Sequence, residues 1–98
     1  MEINELGKRA YECAVKRGKV HEGDPLIVQH EESRITLYEE FVEFSRADEY
    51  APSEHLPEYS QAIEELADIA IASMTELHRR GANIEEVLYK KMKYNENR

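Results

Sequence analysis

Apolar residues recur at helical spacing along nearly the whole chain, and four helices can be read from them. The first spans about Glu2 to Arg17. Ile3, Leu6, Ala10, Cys13 and Ala14 fall on one stripe, and Gly18 is a natural stop. Cys13 reads there as a small buried hydrophobe. In the stretch from Lys19 to Gln29, Gly23-Asp24-Pro25 reads as a turn followed by a short helical piece at Leu26-Ile27-Val28. The second helix spans about His30 to Ala47, with Ile35, Tyr38, Phe41, Val42 and Ser45 on one face. Leu37 and Phe44 widen that face on the side where Glu40 also points. Asp48 to Leu56 form a connection bracketed by Pro52 and Pro57, which no single helix spans. The third helix spans about Pro57 to Arg80, with a stripe of Ile63, Leu66, Ala67, Ala70, Met74 and Leu77. Ile69, Ile71 and Ala72 make its middle apolar nearly all round, the mark of a helix buried on most sides. Gly81 suits the position just past its end. The fourth helix runs from about Ile84 to the end of the chain, capped by Asn83 with Glu86 three residues later. Its buried edge is Ile84, Val87, Leu88 and Met92. No segment alternates as a strand does. The expectation is one all-α domain over residues 1–98, with the second and third helices as its central pair.

Composition narrows the function. At 98 residues a lone chain buries only about 60–65% of its unfolded surface, so association of copies is plausible on size alone. The net charge of −8 argues against nucleic acid, whose affinity comes largely from phosphate neutralisation. An anionic ligand would need cations as intermediaries. Cys13 is the only cysteine, so no internal disulfide forms. The opening Met1-Glu2-Ile3-Asn4-Glu5 lacks the basic and apolar regions of a signal peptide. The apolar run Leu66–Met74 carries Asp68 and is too short to span a bilayer. These features lead to the expectation of a cytoplasmic protein with no membrane partner.

Glutamates on a helix are ordinarily a solvated face, but Asp68 lies inside Leu66-Ala67-Asp68-Ile69-Ala70-Ile71-Ala72, in the most apolar helix. Burying an ionised carboxylate without a partner costs several kcal/mol. No Lys or Arg lies between Ala47 and Arg79 to offset it. Glu65 and Asp68 share a helix face, as do Glu40 and Glu43. Two antiparallel helices would bring these pairs together as four carboxylates, stable only if protonated or bridged by cations. All-oxygen ligands favour Mg²⁺ or Mn²⁺. A di-iron bundle would use Glu-x-x-His pairs, which are absent.

These residues also form a pattern. Glu39, Glu40 and Glu43 make E-E-x-x-E. After 21 residues Glu65 and Asp68 make E-x-x-D, within Glu64-Glu65-Leu66-Ala67-Asp68-Ile69. Lys91, Asn95 and Arg98 make K-x-x-x-N-x-x-R. In these three motifs, and across most of its length, the chain resembles the MazG-like nucleotide pyrophosphohydrolases. The segment Lys19–Glu32 departs from that family's usual approach to the second helix. The resemblance implies a four-helix MazG-like bundle completed by dimerisation, as a homodimer or a dimer of dimers. It implies that Glu40, Glu43, Glu65 and Asp68 hold Mg²⁺, with Mn²⁺ as a substitute, and that a nucleoside triphosphate is cut to the monophosphate and pyrophosphate. Glu39, one turn before Glu43, would support the metal or accept a proton from water, and Glu40 would share the catalytic work.

Lys91, Asn95 and Arg98 recur at i, i+4 and i+7, on one side of the fourth helix, where they could grip phosphates or sugar. A solvated helix end is the plainer reading of the same residues. Tyr94 and Phe44 are candidates to stack on a base, although packing is the commoner role for each. His21, His30, His55 and His78 share no spacing and read as surface or loop residues. Two other readings stay open at this point: a non-catalytic helical bundle with a decayed site, or the same fold acting on dUTP or phosphoribosyl-ATP.

Overall fold

A computed structural model describes all 98 residues, Met1–Arg98. It consists of four helices, α1 (Ile3–Lys16), α2 (Leu26–Ser45), α3 (Gln61–Arg79) and α4 (Ile84–Glu96), and contains no strand. The sole extended pairing is an isolated antiparallel bridge between Pro52 and Ser60. The chain is therefore all-α, as its periodicity requires. The helices divide between two compact units, Met1–Asp24 with Met74–Arg98 and the contiguous Pro25–Ser73; α3 runs through both.

In the first unit α1 packs on α4. Ile84 is almost fully buried. Its Cδ1 lies where a Cβ on Gly7 would be only 2.1 Å away, and the Met74 carbonyl lies 3.6 Å from the same point. The close approach is possible because residue 7 is glycine. It also turns α1: Gly7 is buried and Tyr11 and Ala14 are half-buried, while Leu6 and Cys13 are exposed. Of the expected stripe, Ile3, Ala10 and Ala14 are half-buried while Leu6 and Cys13 are not, because a missing side chain at Gly7 creates the contact face. Asn4 adds a polar clamp. Its Nδ2 donates to Asn83 Oδ1 at 3.0 Å, and its Oδ1 accepts from the Glu85 amide at 3.0 Å. Asn83 also caps α4 by accepting from the Glu86 amide at 3.1 Å, as its position in the sequence suggests. Gly81 closes α3 with a positive φ of 77°, a conformation natural to glycine after a helix. The Arg79 guanidinium, itself buried, donates to Asp24 at 3.1 Å. His78 is half-buried on α3 with its ring 5.1 Å from that of Tyr11, not a surface or loop residue as its lack of patterning implied.

The second unit holds α2, the 46–60 connection and the first three turns of α3. Helix α2 starts at Leu26, directly after Pro25, so the short piece expected there and the second helix are one element. The packed side of α2 is Gln29, Ser33, Leu37, Glu40 and Phe44. The face read from the sequence, with Ile35, Tyr38 and Phe41, points outward instead; Tyr38 is 68% and Phe41 59% exposed. The same inversion occurs on α3, where Ile63 and Leu66 are about half exposed, at 50% and 51%, while Ala62 is buried and Glu65 and Asp68 are half-buried. In the single chain these apolar side chains look out, while Glu40, Glu65 and Asp68 lie on the half-buried sides of the two helices and Glu43 is exposed. Helix α3 begins at Gln61 rather than Pro57, because Ser60 Oγ accepts from the Ile63 amide at 3.2 Å as a cap.

Candidate metal centre

The carboxylates of α2 and α3 meet inside the second unit. One oxygen from each of Glu40, Glu43 and Glu65 lies within 4.8 Å of the others, and the same holds for Glu64, Glu65 and Asp68. Glu65 belongs to both groups. The spacings i, i+3 on each helix put these side chains on one face, and the helix start fixed by Ser60 sets the register of α3. All four acids that the sequence nominates as ligands, Glu40, Glu43, Glu65 and Asp68, are therefore brought together, and Glu64 joins them. Glu64 was not singled out beforehand, although it adjoins the E-x-x-D motif. Glu39 is exposed and stays outside the cluster.

The cluster is electrostatically uncomfortable. Burial pushes the Glu65 carboxyl above its usual range, and the charges of Asp68, Glu43, Glu40 and Glu64 push it further. Its Oε2 is buried and accepts no hydrogen bond. An orphaned carboxylate oxygen among other carboxylates is the donor set a hard divalent cation takes. The residues thus fit a Mg²⁺ or Mn²⁺ ion.

The 46–60 connection shapes the other side of the site. Asp48 Oδ1 accepts from the amides of Tyr50 and Ala51 at 2.6 and 2.7 Å. These bonds, Ala51 first, hold its carboxyl below the usual range. The loop is tied to the start of α3 by the Gln61 amide on the Ala51 carbonyl at 3.0 Å and by the Asp48 amide on Gln61 Oε1 at 3.1 Å. This brings His55 Nδ1 to 3.2 Å from Glu64 Oε2. The hydrogen bond to Glu64 raises the His55 pKa, and His55, followed by Ser53, lowers that of Glu64. A cleft of about 350 Å³ opens here, lined by Glu43, Glu64 and Glu65 and also by Arg46 and His55. Neither cation was nominated from the sequence. Arg46 is a lone basic residue three positions after Glu43, and the His55 contact spans a loop that periodicity cannot read.

No family model, characterised protein or solved structure matches this chain.

Lys91, Tyr94, Asn95 and Arg98 lie on the last turns of α4 or just past it, in the first unit, and all are exposed. Lys91 Nζ sits 4.6 Å from the centre of the Tyr94 ring, so one aromatic face already holds a cation. Phe44 is half-buried on the packed side of α2. No helix is long and apolar enough to cross a membrane.

Proposed function

We propose that the chain is a MazG-like nucleotide pyrophosphohydrolase that converts a nucleoside triphosphate and water to the monophosphate and pyrophosphate, using Mg²⁺. The observation that carries this reading is Glu65, which has one buried oxygen without a hydrogen bond and which shares ligand spacing with Glu40 and Glu43 in one group and with Glu64 and Asp68 in another. Such an arrangement is costly without a cation. In this reading Glu40, Glu43, Glu65 and Asp68 hold the ion. A bound Mg²⁺ supplies charge neutralisation on phosphate oxygens and polarises a water. Glu39, exposed and outside the cluster, is proposed to support the metal site or to accept the proton of the attacking water. Lys91, Asn95 and Arg98, with Tyr94 for the base, are proposed as substrate contacts on the sequence alone. The acidity of the chain makes the metal obligatory, because a polyanion would otherwise be repelled.

The active form is proposed to be a homodimer or a dimer of dimers. The support is the outward apolar faces of α2 and α3, which a second copy would cover.

The test is pyrophosphate release from a panel of ribo- and deoxyribonucleoside triphosphates, including dUTP, with phosphoribosyl-ATP alongside, with and without Mg²⁺. Release of pyrophosphate with Mg²⁺ and none in chelator supports the enzyme. Silence on every substrate would leave a helical scaffold with a decayed site.

A further inference from the structure

The cleft beside the acidic cluster holds two groups that the metal centre does not use. Arg46 closes α2, its amide bonded at 3.2 Å to the carbonyls of Val42 and of Glu43. Its backbone is therefore fixed by the helix that carries Glu40 and Glu43, and the exposed residue lines the cleft. No carboxylate engages the Arg46 guanidinium, although the cleft contains Glu43, Glu54, Glu64 and Glu65. His55 enters the same cleft from the connection, its Nδ1 turned to Glu64, which leaves Nε2 for another partner. The balance of charge matters. Glu43, Glu54, Glu64 and Glu65 outnumber the single Arg46 guanidinium, so the cleft by itself is hostile to an anion. A divalent ion held by Glu43 and Glu65 together with Glu40 and Asp68 would cancel two of the negative charges at one end, near a guanidinium whose planar fork matches phosphate oxygens.

Resting on the metal-centre reading above, we infer that Arg46, assisted by His55, binds the terminal phosphates of the metal-bound polyphosphate and so selects triphosphates over monophosphates. In the proposed reaction these phosphates leave as pyrophosphate, carrying the electron pair of the broken P–O bond. A cation there meets the charge that develops on the leaving group.

Calorimetric titration with inorganic tripolyphosphate tests the binding role without requiring turnover. The parent protein should bind tripolyphosphate with Mg²⁺ and not in chelator. Arg46→Ala should weaken that binding roughly ten- to a hundredfold, the range of a charge-assisted hydrogen bond. Arg46→Lys should recover part of it, and His55→Gln should weaken it by a smaller factor. Affinity for Mg²⁺ alone and the helical circular dichroism should match the parent in all variants. Tripolyphosphate affinity equal to the parent in Arg46→Ala, with Mg²⁺ binding intact, would overturn this inference and leave the metal centre standing. Equal loss of Mg²⁺ affinity in Arg46→Ala would make its role structural and also overturn it. A parent that binds no Mg²⁺ would overturn the metal centre and this inference together.

Discussion

Glu65 holds a carboxyl among four other acids with one buried oxygen unbonded. Its folded pKa is raised, so the folded chain holds that proton more tightly than the unfolded chain does. The sign follows from linkage. Glu65 contributes stability below its ordinary pKa near 4.5 and loses that contribution as pH rises through the raised value. Glu31, Asp48, Glu64 and Glu86 have lowered pKa values and run the other way, losing stability on acidification. Comparison of the parent with Glu65→Gln therefore isolates the site. In chelator, Glu65→Gln should equal or exceed the parent in melting temperature at neutral pH, and the difference should shrink toward pH 4. Mg²⁺ should stabilise the parent by about 2.7 kcal/mol at a free concentration near a hundred times Kd, and Glu65→Gln much less. A variant that is less stable than the parent in chelator and still responds fully to Mg²⁺ would show that Glu65 is paired structurally rather than poised for a metal.

At the scale of the element, the sequence locates the helices better than their faces. Asn83 before α4 and Gly81 after α3 are local signals, and they mark the ends correctly because capping is satisfied within a few residues. The acid pairs 40/43 and 65/68 were legible for the same reason: helical spacing alone puts them side by side. The orientation of α1, α2 and α3 was not legible. A hydrophobic stripe says that a face will be covered, not by what. The Gly7 contact could not be read either, since a glycine in a helix usually marks weakness rather than a junction. Gly7→Ala tests that junction. The new Cβ meets Ile84 Cδ1 at 2.1 Å, and Ile84 is too deeply buried to swing aside freely. The expected loss is on the order of 1–3 kcal/mol, the range for overpacking, measured by urea unfolding. Ile84→Val removes Cδ1 and should cost about 0.5–1.5 kcal/mol alone. The double variant should then lose less than the sum of the two single changes. Strict additivity would mean that the contact does not govern the packing of α1 on α4.

For the whole molecule, the deciding quantity is the apolar surface the chain leaves in water. Tyr38, Phe41, Ile63 and Leu66 are all exposed, and they belong to the faces that periodicity marks for burial. Exposed apolar side chains on a helix face commonly mark protein contacts. A second copy is the economical partner, since a twofold axis lets one patch cover its own equivalent. Light scattering at micromolar concentration should give a mass at least twice the chain's 11.5 kDa. Tyr38→Glu and Leu66→Glu should bring it down to the single-chain value. The substitutions separate interface from interior. A glutamate on a face that is open in the monomer costs the isolated chain little, so helical circular dichroism should persist while assembly is lost. A parent that scatters only as 11.5 kDa would mean that the outward faces of α2 and α3 are not a self-association surface.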